Sequence, residues 1–417
     1  MDFTAIHRLL GREPGPITDE LLDAAVENGV KETDDLDWKS ELPPAKALQS
    51  TDYPKDIAAM ANSGGGTIIY GIEESQKAAI KRLDVGELTE THERALRSAA
   101  VTAISPPIFG LGIREVGNPG RRAVAVLVPA SADGPHLIYR NEYFGAPIRN
   151  DADTVWMKER QIEAMYRARF DERRHEAEAL ANLYRDAASG RDTNQRAWFI
   201  AVASPRLPAS QPVRPPRGQA GEIFEAALVH GVYFAGRGGI HPLEAVDRLN
   251  PRPGLRRWVA ANTAESQHSR WKESWASCHH DGAVTLATAV GGHPSGPNQN
   301  NPGERIDSSA IECAIADLMG LIRAVSERRG TNEYDVRIGI EWTGGAPMII
   351  QTVDNSGYVY DGTSLPLARY NPVVVTVRAD ADSLDYYQQV HDLAEDCINQ
   401  GGLTNVRLIS PPSPNDT

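Results

Sequence analysis

Lys55–Asp56–Ile57–Ala58–Ala59–Met60–Ala61–Asn62–Ser63–Gly64–Gly65–Gly66–Thr67–Ile68–Ile69–Tyr70–Gly71–Ile72–Glu73–Glu74 is the stretch whose reading decides the fold. Tyr53 to Ala61 has the composition of a helix, with Pro54 tolerated in its first turn. Asn62 to Gly66 stops that helix, and Thr67 to Ile72 continues as a short apolar run of the kind that fills a buried strand. The run leaves two acids, Glu73 and Glu74, at its end. Helix, glycine turn, buried strand and polar strand end is an α/β sequence, and α/β folds place chemistry at strand ends and their loops. The glycine turn could present backbone N–H groups to a phosphate. It is not a P-loop, because no Lys-Ser/Thr follows and the order is helix–Gly–strand. The plainer reading is a helix C-cap with a tight turn.

Upstream, Leu36 and Trp38 alternate with Asp35, Asp37 and Lys39. Period two predicts a half-buried strand that places Asp35, Asp37 and Lys39 on one face and Trp38 in the core. Glu32 lies five residues before Asp37 and needs a bend to join it. Carboxylates that hold a cation, with a lysine that neutralises developing charge, suit hydrolytic chemistry. A run of acids on a solvated strand edge is the plainer reading. Elsewhere, Ile17 to Asn28 and Glu90 to Ala103 read as helices and Ala123 to Val128 as a strand. Leu137 to Asn150 reads as a hairpin turning at Arg140 to Glu142. Lys158 to about Asp186 reads as a long charged helix with a narrow stripe of Ile162, Met165, Tyr166 and Phe170. Opposite charges along it suit a solvated helix laced with i,i+4 pairs; its length and stripe also suit a homodimer contact.

Taken together, Glu32, Asp37-Trp38-Lys39, Ala61-Asn62-Ser63-Gly64-Gly65, Gly71-Ile72-Glu73-Glu74 and Ala146-Pro147-Ile148-Arg149 resemble the Schlafen AlbA-type domain, over about residues 17 to 170. The resemblance implies a mixed sheet with helices and a nucleic acid, RNA or DNA, as partner. Nuclease members use three acids for Mg²⁺ or Mn²⁺, which carries over to Glu32, Asp37 and either Glu73 or Glu74, with Lys39 at the scissile phosphate. Lys55, Asn62, Gly64, Gly65 and Arg149 are then the candidates for backbone contacts. The bacterial branch is often described as DNA-binding, as a transcriptional regulator or as a divergent ATP-binding domain. A metal-dependent endoribonuclease, a non-catalytic DNA-binding regulator and a nucleotide-sensing module therefore all stand as readings. Asp37-Trp38 replaces the more usual glutamate and phenylalanine, which shortens the acid by one methylene. Glu73-Glu74 replaces aspartates, and Asn150 stands where a glycine is common.

The whole chain fits this picture. Its 417 residues suggest a second domain, with a boundary near residue 190. A net charge of −13 argues against coating nucleic acid through bulk charge but leaves room for a local basic groove. No apolar run approaches the roughly 20 residues that span a bilayer, and Met1 to Gly15 lacks a signal pattern. Cys278, Cys313 and Cys397, odd in number and far apart, suggest a reducing cytoplasm. The second half reads as α+β, of unknown role, with sensing or partner recognition favoured. Its strands are expected at 197–203, 257–261, 282–290, 336–342, 348–353 and 372–378, and its helices at 309–328 and 383–399. Cys278-His279-His280 is a strand end rather than a zinc site, because adjacent ligands rarely suit one tetrahedral ion. Gly236 to Gly239 is a turn, and Trp258, Trp271, Trp275 and Trp342 supply core.

Overall fold

The computed structural model describes residues 3–140, 143–207, 214–262, 273–296, 299–354, 358–360 and 362–410. Two compact units divide the chain, Met1–Arg174 and His175–Thr417. Among the described residues no helix is long and apolar enough to cross a membrane.

In the first unit the elements run α1 (Ala5–Leu9), α2 (Asp19–Glu27), β1 (Leu36–Lys39), α3 (Tyr53–Asn62), β2 (Gly66–Tyr70), β3 (Ile72–Ser75), β4 (Ala78–Arg82), α4 (Glu90–Thr102), β5 (Ile104–Ser105), β6 (Gly112–Val116), β7 (Ala123–Val128), β8 (Leu137–Arg140), β9 (Tyr143–Gly145), β10 (Pro147–Asn150) and β11 (Asp153–Trp156). A further helix, α5, spans Glu159–Ala188. The central sheet has the order β1-β2-β7-β6. β1 and β2 are parallel and joined through α3, whereas β7 is antiparallel to both β2 and β6. This is the mixed sheet with helices that the resemblance implies.

Strand parity sorts the core into two layers. Ile68, Tyr70, Val124, Val126 and Val128 pack with Ile57, Met60 and Leu96 of α3 and α4. Leu36, Trp38, Ile69, Ala123 and Ala125 pack on the opposite face with Ile6, Leu21 and Leu22 of α1 and α2. Successive strand side chains point to opposite faces, so burying Leu36 and Trp38 under α1 and α2 turns Asp37 and Lys39 toward α3. Trp38 is core, and its Nε1–H donates to the Val30 carbonyl at 3.0 Å. The apolar run read as one strand over residues 67–72 breaks at Gly71, whose φ of +97° is a left-handed value that favours glycine. The chain then enters a β3–β4 hairpin that the sequence pattern did not reveal, because its turn, Gln76-Lys77, carries two positive φ values of 50° and 67° without a glycine or asparagine. Of the expected turn at Arg140 to Glu142, residues 141 and 142 lie outside the described residues.

The second unit is built on a seven-stranded antiparallel sheet, in the order 252–254, 257–261, 274–279, 284–289, 198–205, 333–341 and 373–378. Helices Arg217–Ala235, Ser308–Arg329 and Ser383–Asn399 contribute one large apolar core. The first of these helices escaped the sequence reading, since its apolar residues are spread around it rather than in a stripe. It approaches the second closely at Gly320, where an added Cβ would stand 2.2 Å from the Ala227 carbonyl oxygen. The last turns of α5 place Leu180, Tyr184 and Ala187 against Trp198, Ile200 and Val202. Trp258 is buried in the main core, Trp275 and Trp342 are partly buried, and Trp271 lies outside the described residues.

Candidate nucleic-acid interface in the first unit

β1, α3 and the β3–β4 and β10–β11 hairpins line an open cleft of about 450 Å³. Glu32, Asp37, Lys39, Lys55, Asp56, Glu73, Glu74, Lys77, Arg149 and Asp153 line it, with Trp38, Ser40, Ala152 and Thr154. The separation of Glu32 from Asp37 in sequence is closed by a tight turn, in which the Thr33 N–H reaches the Leu36 carbonyl at 3.1 Å. That turn folds the Glu32 carboxylate back so that Oε1 accepts the Trp38 N–H at 3.1 Å. Glu32 and Asp37 are thereby neighbours on the cleft floor, both buried.

Glu32, Asp37, Asp56 and Asp153 are each met by a cation. Asp37 Oδ2 lies 2.6 Å from Lys39 Nζ, and its Oδ1 accepts from Arg149 Nη1 at 3.2 Å. Lys77 bridges Glu32 at 3.4 Å and Asp153 at 3.1 Å. Asp56 sits between Lys39 and Lys55, 3.9 Å from each ammonium. Lys55 makes a closer pair with Asp52 at 3.0 Å. Burial, stronger than the nearby lysines and reinforced by Asp37 and Asp52, raises the Asp56 carboxyl to about 6. Burial also raises Glu32, against the Trp38 N–H and Lys77. Burial alone would lower Lys39, but Asp37 and Asp56 outweigh it and hold the ammonium above its ordinary value.

Not every residue singled out in the sequence faces this cleft. Arg149 lines it but is itself buried, and its guanidinium is spent on Asp37, the Thr33 carbonyl at 3.1 Å and Thr154 Oγ1 at 3.3 Å. It fixes the floor. Asn62 is buried behind the cleft. Its amide donates to the carbonyls of His136 at 3.0 Å and Pro147 at 2.8 Å and accepts the His136 N–H at 2.7 Å, which ties α3 to β10. Gly65 lies against the Pro129–Ala130 backbone, where an added Cβ would stand 2.7 Å from the Ala130 nitrogen, and Gly64 turns at φ +94°. Neither glycine lines the cleft. Glu74 is exposed and accepts the Lys77 N–H at 2.7 Å, closing the β3–β4 turn. Asp35, which shares strand parity with Asp37, pairs instead with Arg8 at 2.9 Å.

Asp56, Lys77 and Asp153 belong to the cleft and were not singled out in the sequence. Asp56 had a readable signal, as an acid among apolar neighbours on a helix. Lys77 and Asp153 follow turns with positive φ at Gln76, Lys77 and Asp151, and nothing local betrays where those turns point.

A divalent metal needs carboxylate oxygens that converge on one point. Among the described residues no three His, Cys, Asp or Glu side chains are grouped to hold one. Glu32 and Asp37 are neighbours, but each also lies against a lysine. His279 and His280 likewise take part in no such group.

Residues 32–158 match the model of the family described as Schlafen, AlbA_2. This segment is a Schlafen AlbA_2 domain. The match begins at Glu32 and ends just past β11, so it contains the whole set of cleft residues. No curated protein matches the chain. Among solved structures, the DIP2311 protein from Corynebacterium diphtheriae is 19% identical over 52% of this chain, with a TM-score of 0.24, and the match spans 34% of that protein's chain. The N-terminal domain of a Nitrosomonas europaea protein, named as ATP-dependent DNA helicase RecG-related, is 18% identical, with a TM-score of 0.25. That match covers 34% of this chain and 90% of the other.

Proposed function

We propose that the Schlafen AlbA_2 domain binds the phosphate backbone of a nucleic acid in this cleft. The supporting observation is the convergence of Lys39, Lys55 and Lys77, from a strand, a helix and a hairpin, on one open groove. All three side chains are partly exposed; Asp37, Asp56 and Glu32 beside them are buried, whereas the closer partners of Lys55 and Lys77, Asp52 and Asp153, are exposed. The acids orient the ammonium groups without consuming them. Each ammonium keeps a solvent-facing side, which a phosphate can take. Phosphate contacts of this kind position a strand and carry no base information. Binding without cleavage is what a regulator requires.

The test is fluorescence anisotropy with labelled RNA, single-stranded DNA and duplex DNA between 50 and 200 mM salt, concentrations over which phosphate contacts lose affinity steeply. Wild type is expected to weaken with salt, and Lys39→Ala, Lys55→Ala and Lys77→Ala each to lower the log–log slope by about 1. No binding, or a slope that none of the three changes, refutes the proposal. The same samples in Mg²⁺, Mn²⁺ or EDTA, run on denaturing gels with Glu32→Ala and Asp37→Ala, ask whether the domain also cuts. Cleavage that EDTA and both substitutions abolish would extend the reading to a nuclease. Cleavage that survives both would set these acids aside.

A further inference from the structure

Trp156 ends β11, the strand whose first residues Asp153 and Thr154 line the cleft. Tryptophan is among the costliest side chains to leave in water, yet Trp156 is 53% exposed. In the β10–β11 hairpin Arg149 pairs with Thr154 and Pro147 with Trp156. Thr154 and Trp156 therefore share one face, the face that carries Arg149 into the cleft floor, and stand about 7 Å apart along the strand.

The ring is also seated. It lies against Gly145 of β9, where a Cβ would stand 2.7 Å from both Cε3 and Cζ3. The missing side chain is what lets the indole rest against the backbone. Gly145 does not adopt a positive φ, so the turn geometry does not demand a glycine there; the ring does. One side of the indole is thus supported by protein while much of the rest is open to solvent, two residues along the strand from Thr154 of the cleft lining.

We infer that Trp156 is a base-stacking shelf at the mouth of the cleft, and that the domain's substrate class is single-stranded nucleic acid. The inference rests on the backbone-binding reading above and adds the base. A strand whose phosphates lie against Lys39, Lys55 and Lys77 has bases to place beside the groove. An unpaired base offers a free π-face to an indole, whereas a duplex keeps its faces stacked inside. Stacking on aromatic side chains contributes to single-strand binding and tolerates any sequence, because every base has a π-face.

The test uses the full chain and four labelled probes, oligo-U, oligo-dT, a DNA duplex and an RNA duplex. Trp156→Ala is expected to weaken oligo-U and oligo-dT about 5- to 100-fold and to leave both duplexes within about twofold. Its salt slope should match wild type, since no phosphate contact is lost. Trp156→Phe should recover part of the affinity. Gly145→Ala, which leaves the indole in the sequence but displaces it from its seat, should behave like a weaker Trp156→Ala. Wild type that binds single strands while Trp156→Ala binds them equally well overturns the shelf and leaves the lysine reading standing. Equal losses on single strands and duplexes also overturn it. A change in oligomeric state on size exclusion with unchanged binding would mark Trp156 as a contact between copies of the chain and overturn it too. If wild type binds none of the probes, the backbone-binding reading itself fails.

Discussion

Asp56→Asn should stabilise the first unit at neutral pH. Asp56 sits on α3 beneath the cleft, and its carboxyl is raised from an ordinary 3.8 to about 6, chiefly by burial. An acid whose folded value is raised disfavours the folded state when ionised. The penalty is absent below about pH 3.8, grows between 3.8 and 6 and is complete above 6. At ~1.4 kcal/mol per pH unit, it amounts to at most about 3 kcal/mol. Asparagine keeps the shape and removes the charge. What it forfeits is small, because Lys39 retains Asp37 at 2.6 Å and Lys55 retains Asp52 at 3.0 Å, both closer than the 3.9 Å contacts with Asp56. The expected gain is therefore about 1–3 kcal/mol above pH 7, or roughly 2–10 °C in the midpoint of a domain this size. Differential scanning calorimetry between pH 4 and 8 reads it. The difference between variant and wild type should be largest above pH 7 and vanish toward pH 4. Equal midpoints at pH 7.5, or a difference that widens as pH falls, would refute the reasoning.

The same charge has other consequences. Protonating Asp56 removes a negative group beside Lys39 and Lys55, so nucleic-acid affinity at fixed salt should rise as pH falls from 7 toward 5.5, and Asp56→Asn should flatten that profile. Arg149→Ala leaves the Asp37 carboxylate buried with one cation instead of two. It should cost about 3–5 kcal/mol in urea unfolding, and Arg149→Lys should not fully restore it, because one ammonium cannot reproduce the fork that meets Asp37, Thr33 and Thr154. In the second unit, His241 Nδ1 lies 2.6 Å from Asp317 Oδ1 and Nε2 lies 2.7 Å from the Gly236 carbonyl. Burial disfavours its charge, but Asp317, with Cys313, pushes it up to about 11. Its contribution to stability is fully present below about pH 6.5 and is lost as pH rises toward 11. Its ring resonances should show no titration between pH 6 and 9; a midpoint near 6.5 would overturn the pairing.

Much of the first unit was legible because its signals are local. Alternation at Leu36–Lys39 fixed which side of β1 is core, and hence that Asp37 and Lys39 share a side. The helix–glycine–strand passage placed α3 before β2, and only the bend between Glu32 and Asp37 awaited the structure. The illegible part is long-range. Nothing near residue 77 or 153 tells that these positions approach Glu32, since two turns with positive φ aim them there. Asn62 illustrates the opposite case. The residue was conspicuous in the sequence beside the glycine turn, yet its three hydrogen bonds to the His136 and Pro147 backbone make it a tie between α3 and β10. A motif residue can be prominent because it closes a fold, and the sequence alone does not separate that from touching a ligand.

If the cleft takes an anion, as proposed, the arrangement of charge gives a reason for acids to line it. Glu32, Asp37 and Asp56 are buried, and the lysines reach outward from them. Exposed lysines carry considerable rotamer entropy, and ordering three of them at the moment of binding would cost affinity. Carboxylates beneath them supply that order beforehand. The cost is a cleft whose acids outnumber its cations, so one isolated phosphate gains little there. On the proposed reading a strand would gain more, because it would meet several ammonium groups at once and add the open ring of Trp156. The design then rewards length over charge alone. Affinity should climb steeply as an oligonucleotide grows from one nucleotide to several, whereas inorganic phosphate and nucleoside triphosphates should compete poorly. Tight competition by ATP would instead favour a nucleotide pocket over a strand-binding groove.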